Sequence, residues 1–187
     1  MKFRELKADE IEVRVQSIKV QDGQPSGVIL LLYKNARCDM NILDETVGVG
    51  NWQRDHYECK GNLFCRVGIN TNFEHPELPE RWVWKSDCGT ESNTEKEKGE
   101  ASDAFKRACT NFGLGRELYT SPFIWVKPEY CKIYKKDTDK YGKPVYATND
   151  RFSVEKIIIE DKKIKAISIV NETQKARVFV WQSEVKK

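Results

Sequence analysis

Apolar and polar positions alternate from Ile11 to Val15. Ile11, Val13 and Val15 fall on one side and Glu12, Arg14 and Gln16 on the other, the two-residue period of a strand. Residues 21–27 carry Gly, Pro and Ser and read as a loop. The spacing then changes to three and four. Ile29, Leu32, Tyr33, Ala36, Met40, Leu43 and Val47 share one face of a predicted helix, with Lys34, Arg37 and Asn41 on the other and Gly48 where a helix stops. From Trp52 to Ile69 the strand pattern returns. The runs at His56–Cys59 and Leu63–Val67 flank Lys60-Gly61-Asn62 and predict a hairpin. After a loop holding Pro76 and Pro79, Arg81–Lys85 predicts a third strand.

Thr94-Glu95-Lys96-Glu97 has the spacing of a capping box and opens the clearest helical pattern in the chain. Ala101, Ala104, Phe105, Ala108, Cys109 and Phe112 form its apolar stripe, and Gly113 and Gly115 end it. Further strands are predicted at Phe123–Val126, Phe152–Ile159, Ile164–Val170 and Ala176–Trp181, with Asp161-Lys162-Lys163 linking two of them as a hairpin. The polar stretch Asp137–Pro144 reads as turns. There is no internal repeat. The order strand, helix, hairpin, strand, helix, strands predicts an α+β fold: an antiparallel sheet of a hairpin plus a third strand packed on a long helix, with extra C-terminal strands.

Composition narrows the class. A chain of 187 residues with 39% hydrophobic and 33% charged residues can bury a core without metals or disulfides. It has no apolar run long enough to span a bilayer. The charged opening MKFRELKADE predicts no secretory signal, so Cys38, Cys59, Cys65, Cys88, Cys109 and Cys131 are expected as free thiols in a cytoplasm. They form no C-x-x-C pair, and the histidines are His56 and His75 alone, which argues against a zinc site. The net charge of +3 is unevenly placed. From Lys127 onward 15 Lys and Arg stand against 9 Asp and Glu, a balance that attracts polyanions.

Candidate chemistry centres on Lys106 and Arg107, adjacent on the second helix and therefore about 100° apart around its axis, flanking the apolar stripe. On pattern alone they are surface cations whose stems cover apolar area. Held by a rigid element, two such charges also suit phosphate contacts. The chain holds 5 Trp, 7 Tyr and 8 Phe, and Trp82 and Trp84 share a strand face. Most of these rings are core candidates, and those interleaved with cations can stack on unpaired bases. Gly48-Val49-Gly50 follows a helix rather than opening one and is a turn, not a phosphate loop. One enzyme-like pattern exists: Glu58-Cys59-Lys60, an E-x-K on a strand with Asp44 and Asp55 upstream, of the kind metal-dependent nucleases use.

The segment Glu100-Ala-Ser-Asp-Ala-Phe-Lys-Arg-Ala-Cys-Thr-Asn-Phe-Gly113 resembles the signature helix of the Rad-fifty-two single-strand annealing family. Its continuation Leu114-Gly115-Arg116-Glu117-Leu118-Tyr119 is similar to the phage and bacterial, Sak-type branch. The helix ending in Gly48-Val49-Gly50-Asn51-Trp52, and the hairpin and third strand after it, match the family's elements in order. The resemblance covers roughly Ile11 to Val126.

The resemblance implies a β-β-β-α core of an annealing-protein ring subunit. It implies single-stranded DNA held by its backbone in a basic groove with bases outward, pairing without ATP or any cofactor, and no catalysis. Lys106 and Arg107 match the family's basic pair, Tyr33 a groove tyrosine and Arg14 a groove arginine. Where the family has a further arginine this chain has Thr110, so Lys34, Arg37 and Arg116 complete the candidate DNA contacts. The implied partners are single-stranded DNA, further copies of the chain and a single-strand-binding protein, with no membrane, in the cytoplasm of a bacterial or phage-infected cell. The expected division is an annealing core at 1–126 and a basic β-rich extension at 127–187. The alternatives are a metal-dependent nuclease using Glu58 and Lys60, and a noncatalytic RNA-binding module.

Overall fold

Turns and caps in the sequence set where elements start and stop. The computed structural model describes residues 1–90 and 96–184. In chain order it contains β1 (Glu12–Gln21), β2 (Gln24–Tyr33), α1 (Ala36–Val47), β3 (Trp52–Cys59), β4 (Asn62–Asn70), β5 (Trp82–Cys88), α2 (Lys96–Asn111), β6 (Ile124–Val126), β7 (Ile133–Thr138), β8 (Pro144–Thr148), β9 (Phe152–Glu160), β10 (Lys163–Asn171) and β11 (Ala176–Gln182). The class is α+β, and the strand pairings among the described residues are antiparallel. Sheet dominates: α2, the longer helix, has only 16 residues. The capping box expected at Thr94 lies outside the described residues.

The chain divides into two compact units, Met1–Glu5 with Lys34–Arg116 and Leu6–Tyr33 with Glu117–Lys187. Residue 126, where the sequence suggests a boundary, falls inside the second.

The first unit is built on the sheet β3-β4-β5. Cys65, Val67 and Ile69 share one face of β4 and are fully buried. Residues directly opposite each other in an antiparallel pair lie on the same face. Arg54 and Lys85 flank Val67, and His56 and Asp87 flank Cys65, so these four side chains lie on that same face. On this face α2 lays Ala104, Phe105, Ala108 and Cys109, all without exposure, as its stripe predicts. The Phe105 ring packs 6.1 Å from Trp52 and 4.7 Å from the Arg54 guanidinium carbon. Gly89, just past β5, permits the close approach of α2: a Cβ there would stand 2.1 Å from the Glu100 carbonyl oxygen. The α1 helix is capped by Asn35, whose side chain accepts from Cys38 N at 3.0 Å.

The second unit is a six-stranded sheet, β11-β10-β9-β1-β2-β6, together with the two-stranded β7–β8 hairpin. Three expectations change here. The helix read from Ile29 does not begin until Ala36, and Ile29–Tyr33 belongs to β2. Val28–Leu32 is a continuous apolar run, which fits helical spacing as readily as a strand buried on both faces. Pairing with β1 on one side and β6 on the other decides it. The loop read at residues 21–27 shrinks to the turn Asp22-Gly23, with φ of 50° and 75°, and the rest extends β1 and β2. The polar stretch 137–144, read as turns, is the tip of β7–β8.

Candidate nucleic-acid interface

In the first unit, α2 holds Lys106 and Arg107 at the margins of its buried stripe. The Lys106 side chain is 19% exposed, with Nζ 3.7 Å from the Asp103 carboxylate one turn back. The Arg107 side chain is 44% exposed, with Nε 3.2 Å from Asp87 on β5. Asp103 also accepts from the Thr90 N–H and hydroxyl, both at 3.2 Å. Each cation thus leans on a carboxylate that orients it without burying it. Partly exposed ion pairs of this kind contribute little stability and exchange readily for phosphate.

The end of α2 is a second basic region. Arg116 donates from Nε and Nη2 to the Thr110 carbonyl at 3.2 and 2.9 Å, and from Nη2 to the Asn111 carbonyl at 3.0 Å. Lys85 of β5 donates to the same Asn111 carbonyl at 2.7 Å, its Nζ 4.9 Å from the Phe112 ring centre. These cations occupy the last carbonyls of the helix, which would otherwise lack partners, at the negative end of its dipole. Carbonyls orient a guanidinium without cancelling its charge, so exposed Arg116 keeps its positive field.

Lys34 is placed differently from the sequence reading. It is 6% exposed, its ammonium paired with buried Asp39 and donating to the Leu114 carbonyl at 3.0 Å. A side chain at Gly115, where φ is +62°, would run into the Lys34 stem at 2.7 Å. Lys34 is an internal bolt between the start of α1 and the turn after α2, and it presents no charge at the surface. Arg37 lies exposed on the first turn of α1.

In the second unit the structure brings Arg14 and Tyr33 together. Glu12 pairs with Tyr33 across β1 and β2. The Arg14 guanidinium carbon lies 5.1 Å from the Tyr33 ring centre, and its Nε donates to Glu12 at 3.1 Å. Tyr33 thus backs the cation with its ring face.

The face of the β3-β4-β5 sheet away from α2 carries a different set. Tyr57 stacks on Phe64 at 5.5 Å, Arg66 lies 5.1 Å from the centre of Trp84 and pairs with Asp55 at 3.0 Å, and Trp82 stacks on Trp84 at 6.2 Å. A shallow hollow of about 280 Å³ lies among them. The strand-face relation of Trp82 and Trp84 was legible from their spacing; the arginine over the Trp84 ring was not.

The nuclease residues do not converge. Asp55 lies on this outer face, while Glu58 pairs with Leu63 on the side facing α2. Asp44 accepts the Trp52 indole N–H at 2.6 Å. Lys60 sits in the hairpin turn with φ of 53°. Among the described residues no three His, Cys, Asp or Glu side chains are grouped to hold a metal. All six cysteines are free thiols. Burial pushes the Cys65 thiol up to about 11, with Arg54 pulling down and Asp55 pushing up, and burial also raises Cys109 well above its usual value. Neither thiol is a nucleophile at neutral pH.

Residues 4–137 match the Rad52/22 family of double-strand break repair proteins. The chain belongs to that family. No curated protein and no solved structure matches it. The Rad52/22 match takes in all of Arg14, Tyr33, Lys34, Arg37, Lys106, Arg107 and Arg116, and ends within β7. It agrees with the resemblance carried by α2, and it leaves β8 to β11 outside. Among the described residues no helix is long and apolar enough to cross a membrane.

Proposed function

We propose that this Rad52/22-family protein binds single-stranded DNA through its phosphates and anneals complementary strands in recombination and repair, without ATP, metal or covalent chemistry. The observation that carries the proposal is the family match over residues that include Lys106 and Arg107, two cations fixed at the margins of a buried helix stripe. Annealing asks for binding without base selection, which phosphate contacts supply, and for bases left open to a second strand. The basic pair is joined as proposed contacts by Arg116 and Arg37 in the first unit and by Arg14 with Tyr33 in the second. Lys34, its charge enclosed, is not among them.

The active form is a homo-oligomeric ring. A ring repeats modest contacts along one strand, so a subunit of net charge +3 suffices. The annealing function rests on residues 1–126, with a single-strand-binding protein as partner, in the cytoplasm of a bacterial or phage-infected cell. The sequence Leu114–Tyr119 supports the phage and bacterial branch.

The test is fluorescence anisotropy on single-stranded DNA, duplex and RNA of equal length. Wild type binds single-stranded DNA best. Lys106→Ala with Arg107→Ala lowers that affinity by about tenfold or more, two charge-assisted contacts at roughly 1 kcal/mol each, with an unchanged melting curve. Equal affinity of this variant and wild type at moderate salt removes the pair from the site. A preference for RNA replaces the function with the RNA-binding alternative.

A further inference from the structure

The β7–β8 hairpin belongs to the second unit, and most of it lies beyond residue 137, where the family match ends. Every residue from Tyr134 to Lys143 is exposed. Four of these ten are lysines: Lys135, Lys136, Lys140 and Lys143. Among the described residues none of the four forms an ion pair. The two aspartates in the same stretch are turned onto backbone. Asp139 accepts from the Tyr141 and Lys143 N–H groups, both at 2.8 Å, and Asp137 accepts from the Thr138 N–H at 2.7 Å. Their carboxylates shape the turn and leave the lysine heads to solvent. Tyr141 is 75% exposed, with Lys140 Nζ 5.0 Å from its ring centre, and Tyr134 is 45% exposed.

The base of this arm is fixed. Asp150 accepts from the Lys132 N–H at 2.8 Å and from the Asn171 side chain at 2.7 Å. Asn171, itself buried, also donates to the Tyr130 carbonyl at 3.0 Å. The Cys131 thiol meets the Thr148 hydroxyl at 3.2 Å, the Tyr134 hydroxyl donates to Asn149 at 3.1 Å, and the Tyr146 hydroxyl donates to the Gly23 carbonyl at 2.7 Å. A bulge between Lys135 and Asp137 gives Lys136 no partner across the ladder. Two exposed tyrosines and four uncompensated lysines on an anchored hairpin are unlike a solvated charged surface, where charges alternate and large rings are covered.

We propose that the tip of the β7–β8 hairpin is a second contact site for single-stranded DNA, in which Lys135, Lys136, Lys140 and Lys143 meet phosphates and Tyr141 stacks on an unpaired base. A polyanion fits the unpaired lysines. A flat ring open on its face, beside a cation, fits a base, and only an unpaired strand offers the base face to it. The site rests on the reading that the protein meets DNA, and it is independent of the basic pair on α2.

The test uses the full chain and measures binding to oligo-dT and to a duplex across a salt series. Two variants are compared with wild type: Lys135, Lys136, Lys140 and Lys143 all changed to Gln, and Tyr141→Ala. The fourfold variant is expected to flatten the plot of log affinity against log salt for oligo-dT by about 3, the loss of four contacts at about 0.7 each. Tyr141→Ala is expected to lose about tenfold in oligo-dT affinity, with the slope and duplex affinity unchanged. Changing the same four lysines to Arg keeps the charge and restores the slope, which separates charge loss from misfolding. Wild-type binding by both variants overturns this site alone. A silent Tyr141→Ala beside a fourfold variant that loses duplex and single strand equally overturns the single-strand assignment. A wild type that binds no DNA overturns both this site and the proposed function.

Discussion

Lys34 and Lys106 are both candidates by sequence, and their surroundings separate them. Lys34 sits buried against Asp39 and the Leu114 carbonyl, while Lys106 stays partly open beside Asp103. Removing one member of a buried ion pair leaves the other charged in low dielectric, at a cost of about 3–5 kcal/mol. Lys34→Ala is therefore expected to lower the denaturation midpoint sharply by chemical unfolding, whereas Lys106→Ala leaves it within about 0.5 kcal/mol, as for a surface change. Equal midpoints for the two variants contradict the placement of Lys34. Sequence alone showed Lys34 only as a cation. Its acceptor Leu114 lies 80 positions away, and Asp39 becomes its partner only because α1 starts at Ala36 rather than Ile29. The α2 motif, by contrast, was legible because its residues lie on one helix, with Lys106 leaning on Asp103 one turn back.

The cysteines give a residue-scale test that involves pH. Burial holds the Cys65 thiol near 11 and Cys109 well above its usual value near 9. In the native protein at pH 8 a thiol reagent is expected to label exposed Cys59 before buried Cys38, Cys65, Cys109 and Cys131. The Cys65 and Cys109 thiols stay protonated in the fold while an unfolded thiol ionises near 9. Their contribution to stability is whole below pH 9 and is lost as the pH rises toward 11. A melting temperature that holds flat across that window contradicts the burial of these groups.

Among the elements, the seam between α2 and β5 sets the direction of the basic pair. Gly89 lets the helix approach, and Asp87 on β5 steers Arg107. Gly89→Val forces a side chain against the Glu100 carbonyl and is expected to cost about 1–3 kcal/mol as overpacking. Calorimetry showing wild-type stability for this variant contradicts the close approach. The β3-β4-β5 sheet and α2 were readable because each carries one clean period. The strand β2 was misread because it is apolar on both faces, so its pattern holds no phase. The hairpin β7–β8 was missed for the opposite reason. Its tip is polar on both faces, with Lys-Lys-Asp-Thr in β7, and it is held by side chains at its base rather than by an apolar face.

For the whole molecule, the charge balance visible in the sequence resolves into separate regions: the pair on α2 with Arg116 at the helix end, Arg14 over Tyr33, and the lysines of β7–β8. The family match spans the first two and stops inside the third. Composition located the basic excess in the C-terminal third, but not its concentration on one hairpin, because that depends on which lysines lack a carboxylate neighbour in the folded chain. The division into units was also hidden, since β1 joins β9 by pairing Glu12 with Ser153 and Val13 with Phe152, far apart in sequence. The central claim is that this Rad52/22-family chain pairs complementary strands. Its most direct test mixes two complementary labelled oligonucleotides with the purified protein, without ATP or metal, on a sample sized by light scattering. Faster annealing by a large oligomer is the predicted result. A monomer that leaves the annealing rate unchanged contradicts the account.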